Sequence, residues 1–242
     1  MKQSRPHDIE PLPDESIDDF MDGRLRLIQS RTGYRFSIDA VLLSEFVTVK
    51  QDDIVVDLGA GCGIIPLILL SKKPVKHAYG LEIQWGLAYQ TSRNAALNGF
   101  SDRMSVIMGD IKNPPLTASC ADVVVCNPPY RRKDSGRINT DRERAIARHE
   151  ILASLDDILN TARGMLKPKG RLAMIYPVER LNDLMIRMRT LDMEPKRLRI
   201  IYPGMNSDAK LAMIEAFLGG KAGLKVLPPL LDQGDYSIGG QT

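Results

Sequence analysis

Aromatic residues make up only 5% of this chain, and it holds a single tryptophan, Trp85. Cysteine is equally sparse. Cys62, Cys120 and Cys126 are odd in number and lack CxxC spacing, which excludes a disulfide-stapled miniprotein and predicts reduced thiols in a cytoplasmic protein. No metal site is expected. No apolar run approaches the roughly 18 residues that a bilayer span requires. The longest, Ile64 to Leu70, is interrupted by Pro66, so no membrane association is expected. Met1 to Pro13 is polar and proline-rich without an apolar stretch, and no secretory signal is expected there. Charge of one sign is also nearly absent: 33 Lys+Arg against 30 Asp+Glu leaves +3, too small by itself to announce a nucleic-acid partner. The remaining composition, 43% hydrophobic and 26% charged over 242 residues, excludes wholesale disorder and allows one large domain with a sizeable core.

Helix and strand patterns alternate along the chain. Residues 1–20, with Pro6, Pro11, Pro13 and an acidic patch, are expected to form a flexible leader, and 21–242 a single domain. From Ile38 the apolar residues Val41, Leu42, Phe46 and Val49 follow helical spacing, with Ser37 at the N-cap position. Ile54 to Leu58 is a short β-branched run ending in glycine-rich sequence, the pattern of a buried parallel strand. Helices over about 64–71 and 84–98 precede strands at 77–81 and 104–108, Gly99 stopping the second helix. A strand at 122–126, a helix from His149 to Leu166, a strand at 171–176 and a helix from Val178 to Leu191 follow. Strands at 197–202 and 210–218 close the pattern. This predicts a Rossmann-like, doubly wound α/β sheet of seven mostly parallel strands, helices on both faces and an antiparallel edge strand. Its ligand crevice belongs at the C-terminal ends of the early strands.

Candidate site residues fall at those ends. Asp57-Leu58-Gly59-Ala60-Gly61-Cys62-Gly63 lies between strand and helix. Glycines at 59, 61 and 63 permit positive φ and close backbone approach. A dinucleotide fingerprint would require glycine at position 64, which is Ile64. A carboxylate at Asp57 would also repel a pyrophosphate, whereas it attracts an ammonium or sulfonium. Glu82, 19 positions after Gly63, is placed to accept from both ribose hydroxyls. Asp110, after the third strand, is placed to accept from an exocyclic amine such as adenine N6. Ile83 and Ile111, which follow these two acids, are counted with them, as is Asn127. Each acid alone would serve equally well as a cap. Three at successive strand ends, with no phosphate cradle, describe S-adenosylmethionine.

Asn127-Pro128-Pro129-Tyr130 follows the fourth strand. An amino group on an aromatic ring is a poor nucleophile because its lone pair is delocalised. Two acceptors, the Asn127 side-chain carbonyl and the Pro128 carbonyl, would draw that pair out of conjugation and aim it at a methyl group. The two prolines hold the backbone rigid, and Tyr130 is placed to stack on the target base.

These motifs resemble the class I S-adenosylmethionine methyltransferases that modify planar amino nitrogens. The chain is further similar, over about residues 20–230, to the bacterial tRNA (adenine-N6) methyltransferases that act beside the anticodon of a valine tRNA. Gly33-Tyr34-Arg35-Phe36-Ser37-Ile38-Asp39-Ala40, Arg148-His149-Glu150 and Gly219-Gly220-Lys221-Ala222-Gly223-Leu224-Lys225 carry that likeness. The resemblance implies that Phe36 and Ser37 help to close over the cofactor, although helix capping explains Ser37 equally well. It also implies that residues 127–130 form the adenine pocket. His149 has a plain reading as a helix-start residue. Arg131-Arg132-Lys133 departs from the more mixed stretch of many relatives.

The motif alone leaves adenine N6, guanine N2 and a protein glutamine amide open. Arg131, Arg132, Lys133, Arg137, Arg142, Arg144 and Arg148, against only Asp134, Asp141 and Glu143, favour a structured RNA, read by shape. Arg131, Arg132 and Lys133 are the expected substrate contacts. A second basic stretch is Lys196, Arg197 and Arg199. The rival readings are an RNA-binding module that keeps the fold without catalysis, and an NAD oxidoreductase, which Ile64 disfavours.

Overall fold

The computed structural model describes residues 9–33, 35–128 and 153–231. Strand β3 (Ile54–Leu58) begins the main sheet in its middle. The chain then moves outward through α2 (Ile64–Lys72), β4 (His77–Glu82), α3 (Trp85–Leu97) and β5 (Met104–Met108). It returns to the other side of β3 with β6 (Ala121–Cys126) and continues through α4 (Leu155–Met165), β7 (Leu166–Pro177) and α5 (Leu181–Thr190). Strands β8 (Met193–Tyr202) and β9 (Leu211–Leu218) complete seven principal strands in the order β8-β9-β7-β6-β3-β4-β5. The reversal between β3 and β6 is the switch point at which open α/β sheets form a ligand crevice.

Alternation along the strands builds two cores. Val55 joins α1 (Ile38–Phe46) and α2 on one face, while Val56 and Leu58 join α4 and α5 on the other. Helix α4 shows the expected apolar stripe, with Leu155, Ile158, Leu159, Ala162 and Met165 buried. Its described start is a capping box: the Asp157 amide donates to Ser154 Oγ and the Ser154 amide to the Asp157 carboxylate. The start expected at His149 lies outside the described residues.

Several expectations are corrected. Residues Glu15–Phe20, assigned to the flexible leader, form strand β1, antiparallel to β2 (Leu25–Ser30). Met21, Asp22 and Gly23 make the connecting turn at positive φ. The acidic sequence conceals a strand whose partner buries Leu25, Leu27 and Ile28. The last two principal strands do form the expected antiparallel edge, β9 lying inside β8 and hydrogen-bonded antiparallel to both β7 and β8. Its unbroken buried run from Ala212 to Ala216 suits that interior position. Two dipeptide strands, β10 (Lys225–Val226) and β11 (Leu230–Leu231), extend the sheet beyond β8 to nine strands instead of seven. Pro168 to Gly170, just past the end of α4, form part of an early bulged stretch of β7, with Lys169 at φ 64°.

Candidate functional site

The C-terminal ends of β3, β4, β5 and β6 converge on the loop after Asp57. Gly59, Gly61 and Gly63 have φ of 78°, 58° and 84°, values that disfavour any residue with a Cβ. At Gly63 a Cβ would also lie 2.6 Å from Thr91 Cγ2. The loop folds back over β4, whose Leu81 carbonyl accepts from the Gly59 and Ala60 amides at 2.9 and 3.0 Å. Gly80 is required there because a Cβ would lie 2.9 Å from Ala60 Cβ.

Asp57 stands opposite Gly80 and Val125 in the strand register and is 1% exposed. Its Oδ1 has no hydrogen-bond partner among the described residues. Burial, and then the nearby Glu82 carboxylate, push its carboxyl up to about 8. Glu82 is almost as buried, yet both its oxygens are engaged. Oε2 accepts from the Gly61 amide and Oε1 from the Gln84 amide, each at 2.9 Å. It therefore holds the glycine loop against the start of α3. Ile83 is left exposed beside it, as is Met108 at the end of β5.

Asp110 lies two residues beyond β5 and is partly exposed. Its Oδ1 accepts from the Lys112 amide at 2.9 Å, and Lys112 Nζ is 3.8 Å from Oδ2. The Ile111 carbonyl accepts from Thr161 Oγ1 at 2.7 Å, tying this loop to α4. Asn127 is half-buried and Pro128 buried immediately after β6. Register brings them alongside the glycine loop, since Val125 pairs Asp57. Cys126 Sγ donates to the Leu58 carbonyl at 3.3 Å.

Phe36 packs edge-on against Phe20, ring centroids 5.3 Å apart, which joins it to the hairpin. Ser37 is the N-cap of α1 but makes no side-chain cap bond, so its exposed hydroxyl is free of the capping role that sequence offered it. Arg35 donates to Asp18 at 2.6 Å. Pro129, Tyr130, Arg131, Arg132 and Lys133, with Tyr34, Arg148, His149 and Glu150, lie outside the described residues.

In the second basic stretch, Arg197 turns inward to Glu215 at 2.9 Å and over the Phe46 ring. Lys196 Nζ donates to the Lys221 carbonyl. These two cations serve folding. Burial raises the Cys62 thiol to about 12 and Cys126 well above its ordinary value, so neither serves as a nucleophile near neutral pH.

Sequence reasoning missed Thr91 and Asn94 on α3 and Asn98 at its C-cap. Thr91 Oγ1 donates to the Gly61 carbonyl at 2.6 Å, and Asn94 Nδ2 to the Cys62 carbonyl at 2.9 Å. Two amides four residues apart on an otherwise inward helix face were the available signal.

A glycine loop at the switch point of this sheet, with a buried acid beneath it, defines a nucleotide-binding α/β fold of the methyltransferase class. Residues 36–183 match the family model described as the methyltransferase small domain, and the chain belongs to that family. Its class uses S-adenosylmethionine. The chain is 33% identical over 191 residues to the tRNA1(Val) (adenine(37)-N6)-methyltransferase of Porphyromonas gingivalis, covering 75% of this chain and 73% of that one. It is 29% identical over 178 residues to the Parabacteroides distasonis protein of the same name, covering 73% and 74%. Among solved structures, a predicted O-methyltransferase from Agrobacterium tumefaciens shares the fold with TM-score 0.64 and 20% identity, over 82% of this chain and 90% of that one. Geranyl diphosphate C-methyltransferase from Streptomyces coelicolor, solved with S-adenosyl-L-homocysteine, has TM-score 0.55 and 14% identity, covering 74% and 79%.

Proposed function

We propose that this chain methylates N6 of an adenine in tRNA, at the position named for its relatives, adenine 37 of tRNA1(Val). The observation that carries the reading is the buried Asp57 Oδ1, unpartnered among the described residues, under a positive-φ glycine loop, with Asn127 beginning the turn after the adjacent strand. S-adenosylmethionine supplies an electrophilic methyl group on a sulfonium. Asp57 fits its cationic amino-acid end, since a carboxyl held near neutrality ionises when a positive charge arrives. Glu82 keeps free lone pairs for ribose hydroxyls while its backbone bonds hold it still. Asp110 Oδ2 and the exposed Ile83 fit an adenine edge and face, with Ile111 beside them. Gly59, Gly61 and Gly63 leave room for close approach. Phe36 and the Ser37 hydroxyl are assigned to closing over the same cofactor.

Asn127 and Pro128 carbonyls accept the two hydrogens of the target amine and turn its lone pair toward the methyl carbon. Pro129 fixes that turn and Tyr130 stacks on the extruded base. Arg131, Arg132 and Lys133 hold flanking phosphates. Electrostatic placement of this kind removes the need for a strong base, because the amine becomes acidic once methylated. A tRNA substrate and free cysteine thiols fit a cytoplasmic enzyme. The test is nucleoside mass spectrometry of tRNA, rRNA and protein incubated with the enzyme and S-adenosylmethionine. N6-methyladenosine in tRNA is expected. N2-methylguanosine, methylglutamine or no methylated product would overturn the reading.

A further inference from the structure

The hairpin β1–β2 precedes the family-matched segment, yet one side chain bonds both it and the glycine loop. Asn94 is fully buried on α3. Its Oδ1 accepts from the Ile28 amide at 2.7 Å, while Nδ2 donates to the Ile28 carbonyl at 3.1 Å and to the Cys62 carbonyl at 2.9 Å. Both amide hydrogens are thereby used, one on the hairpin and one on the loop. Asn98 repeats the first half of this arrangement. Its Oδ1 accepts from the Arg26 amide at 2.8 Å and its Nδ2 donates to the Arg26 carbonyl at 2.7 Å, without reaching the loop.

The geometry explains the pairing. Four helix residues rise about 6 Å, close to the roughly 6.7 Å between alternate residues of a strand. Two asparagines four apart on α3 therefore meet Arg26 and Ile28 as a neighbouring strand would, and they cover the edge of β2 that β1 leaves open. Thr91, one turn earlier, pins the Gly61 carbonyl of the same loop.

We infer that Asn94 is a positioning residue for the S-adenosylmethionine loop, and that docking of the N-terminal hairpin orders that loop through it. A loop with three left-handed glycines is entropically costly to fix. Carbonyl anchors at Gly61 and Cys62 fix it before the ligand arrives, so binding loses less freedom. The inference rests on this loop being the cofactor site, and its test separates the two ideas.

The test compares Asn94→Ala with Asn98→Ala. Three quantities are measured: S-adenosylmethionine Kd by calorimetry, amide hydrogen exchange of Gly61 to Gly63 without ligand, and Tm. Both variants lose hairpin bonds and should melt lower. Only Asn94→Ala should weaken Kd by about tenfold or more and speed exchange of the loop amides, with Asn98→Ala within about twofold of the parent in both. Native affinity and loop exchange in Asn94→Ala would overturn the inference. So would an equal loss of affinity in Asn98→Ala, which would mark a general structural effect.

Should Asn94→Ala fail to fold, exchange in the unaltered chain decides. Ligand binding should then slow the Ile28 amide together with that of Gly63, and an Ile28 amide indifferent to ligand would overturn the coupling. Failure of the unaltered chain to bind S-adenosylmethionine would instead sink the proposed function, while the loop-exchange comparison would still stand.

Discussion

Strand β3 carries a buried acid at each end, and the two are treated in opposite ways. Asp53, just before the strand, is ion-paired with the buried Arg171 and accepts from the Lys50 amide at 2.7 Å. Asp57, four residues on, is more deeply buried and has an Oδ1 with no partner among the described residues. Glu215 follows the first pattern. It is fully buried and takes bonds from the Thr48 amide and hydroxyl and from Arg197. Among the described residues the structural acids are paired and Asp57 Oδ1 is not, and this contrast supports the proposal that Asp57 meets a ligand's charge.

The largest expected break of this contrast is Arg171→Ala. It strands the Asp53 carboxylate in the core and should cost about 3–5 kcal/mol in a denaturant melt. Asp57→Asn should not destabilise in this way, and a loss of comparable size there would erase the distinction. Next in size, Asn127→Ala should lower turnover by on the order of 10²-fold while leaving S-adenosylmethionine Kd nearly unchanged. That outcome separates the chemistry on β6 from the binding on β3. Asp57→Asn should then weaken that Kd by about tenfold, the size of one charge-assisted contact.

A pH trend sharpens the contrast further. Asp57 stays protonated up to about 8 in the folded chain, against about 4 when unfolded. The folded state therefore binds more protons between those values, and this group's contribution to stability falls as pH rises from about 4 to about 8. Thermal melts of Asp57→Asn should lack that slope when compared with the parent chain.

Much of this was legible in the sequence. The alternation of β-branched runs with helical spacing and the glycine loop after Asp57 follow from local periodicity and turn chemistry. So does the stop of α3 at Gly99, which has φ 72°. The hairpin was not legible, because Glu15–Phe20 is acidic and is held by residues far along the chain. Arg93 reaches Glu15 at 2.7 Å, and the α3 asparagines pair with β2 rather than with any sequence neighbour. The place of β9 inside the sheet is likewise a choice of partners. A strand that is apolar apart from Glu215 reads the same at either position until its neighbours are known. Among the site residues, Glu82 and Asp110 read from sequence as ligand acceptors, and the structure adds that each also binds backbone amides. Among the described residues, Asp57 alone has a buried carboxylate oxygen without a partner, which is a property of burial rather than of sequence.

The most direct measurement is the proton balance of cofactor binding. Calorimetric titration of S-adenosylmethionine at pH 7, in two buffers of different ionisation enthalpy, should show release of about one proton, abolished in Asp57→Asn. Binding without proton release, or release that persists in Asp57→Asn, would contradict a neutral Asp57 waiting for a cation.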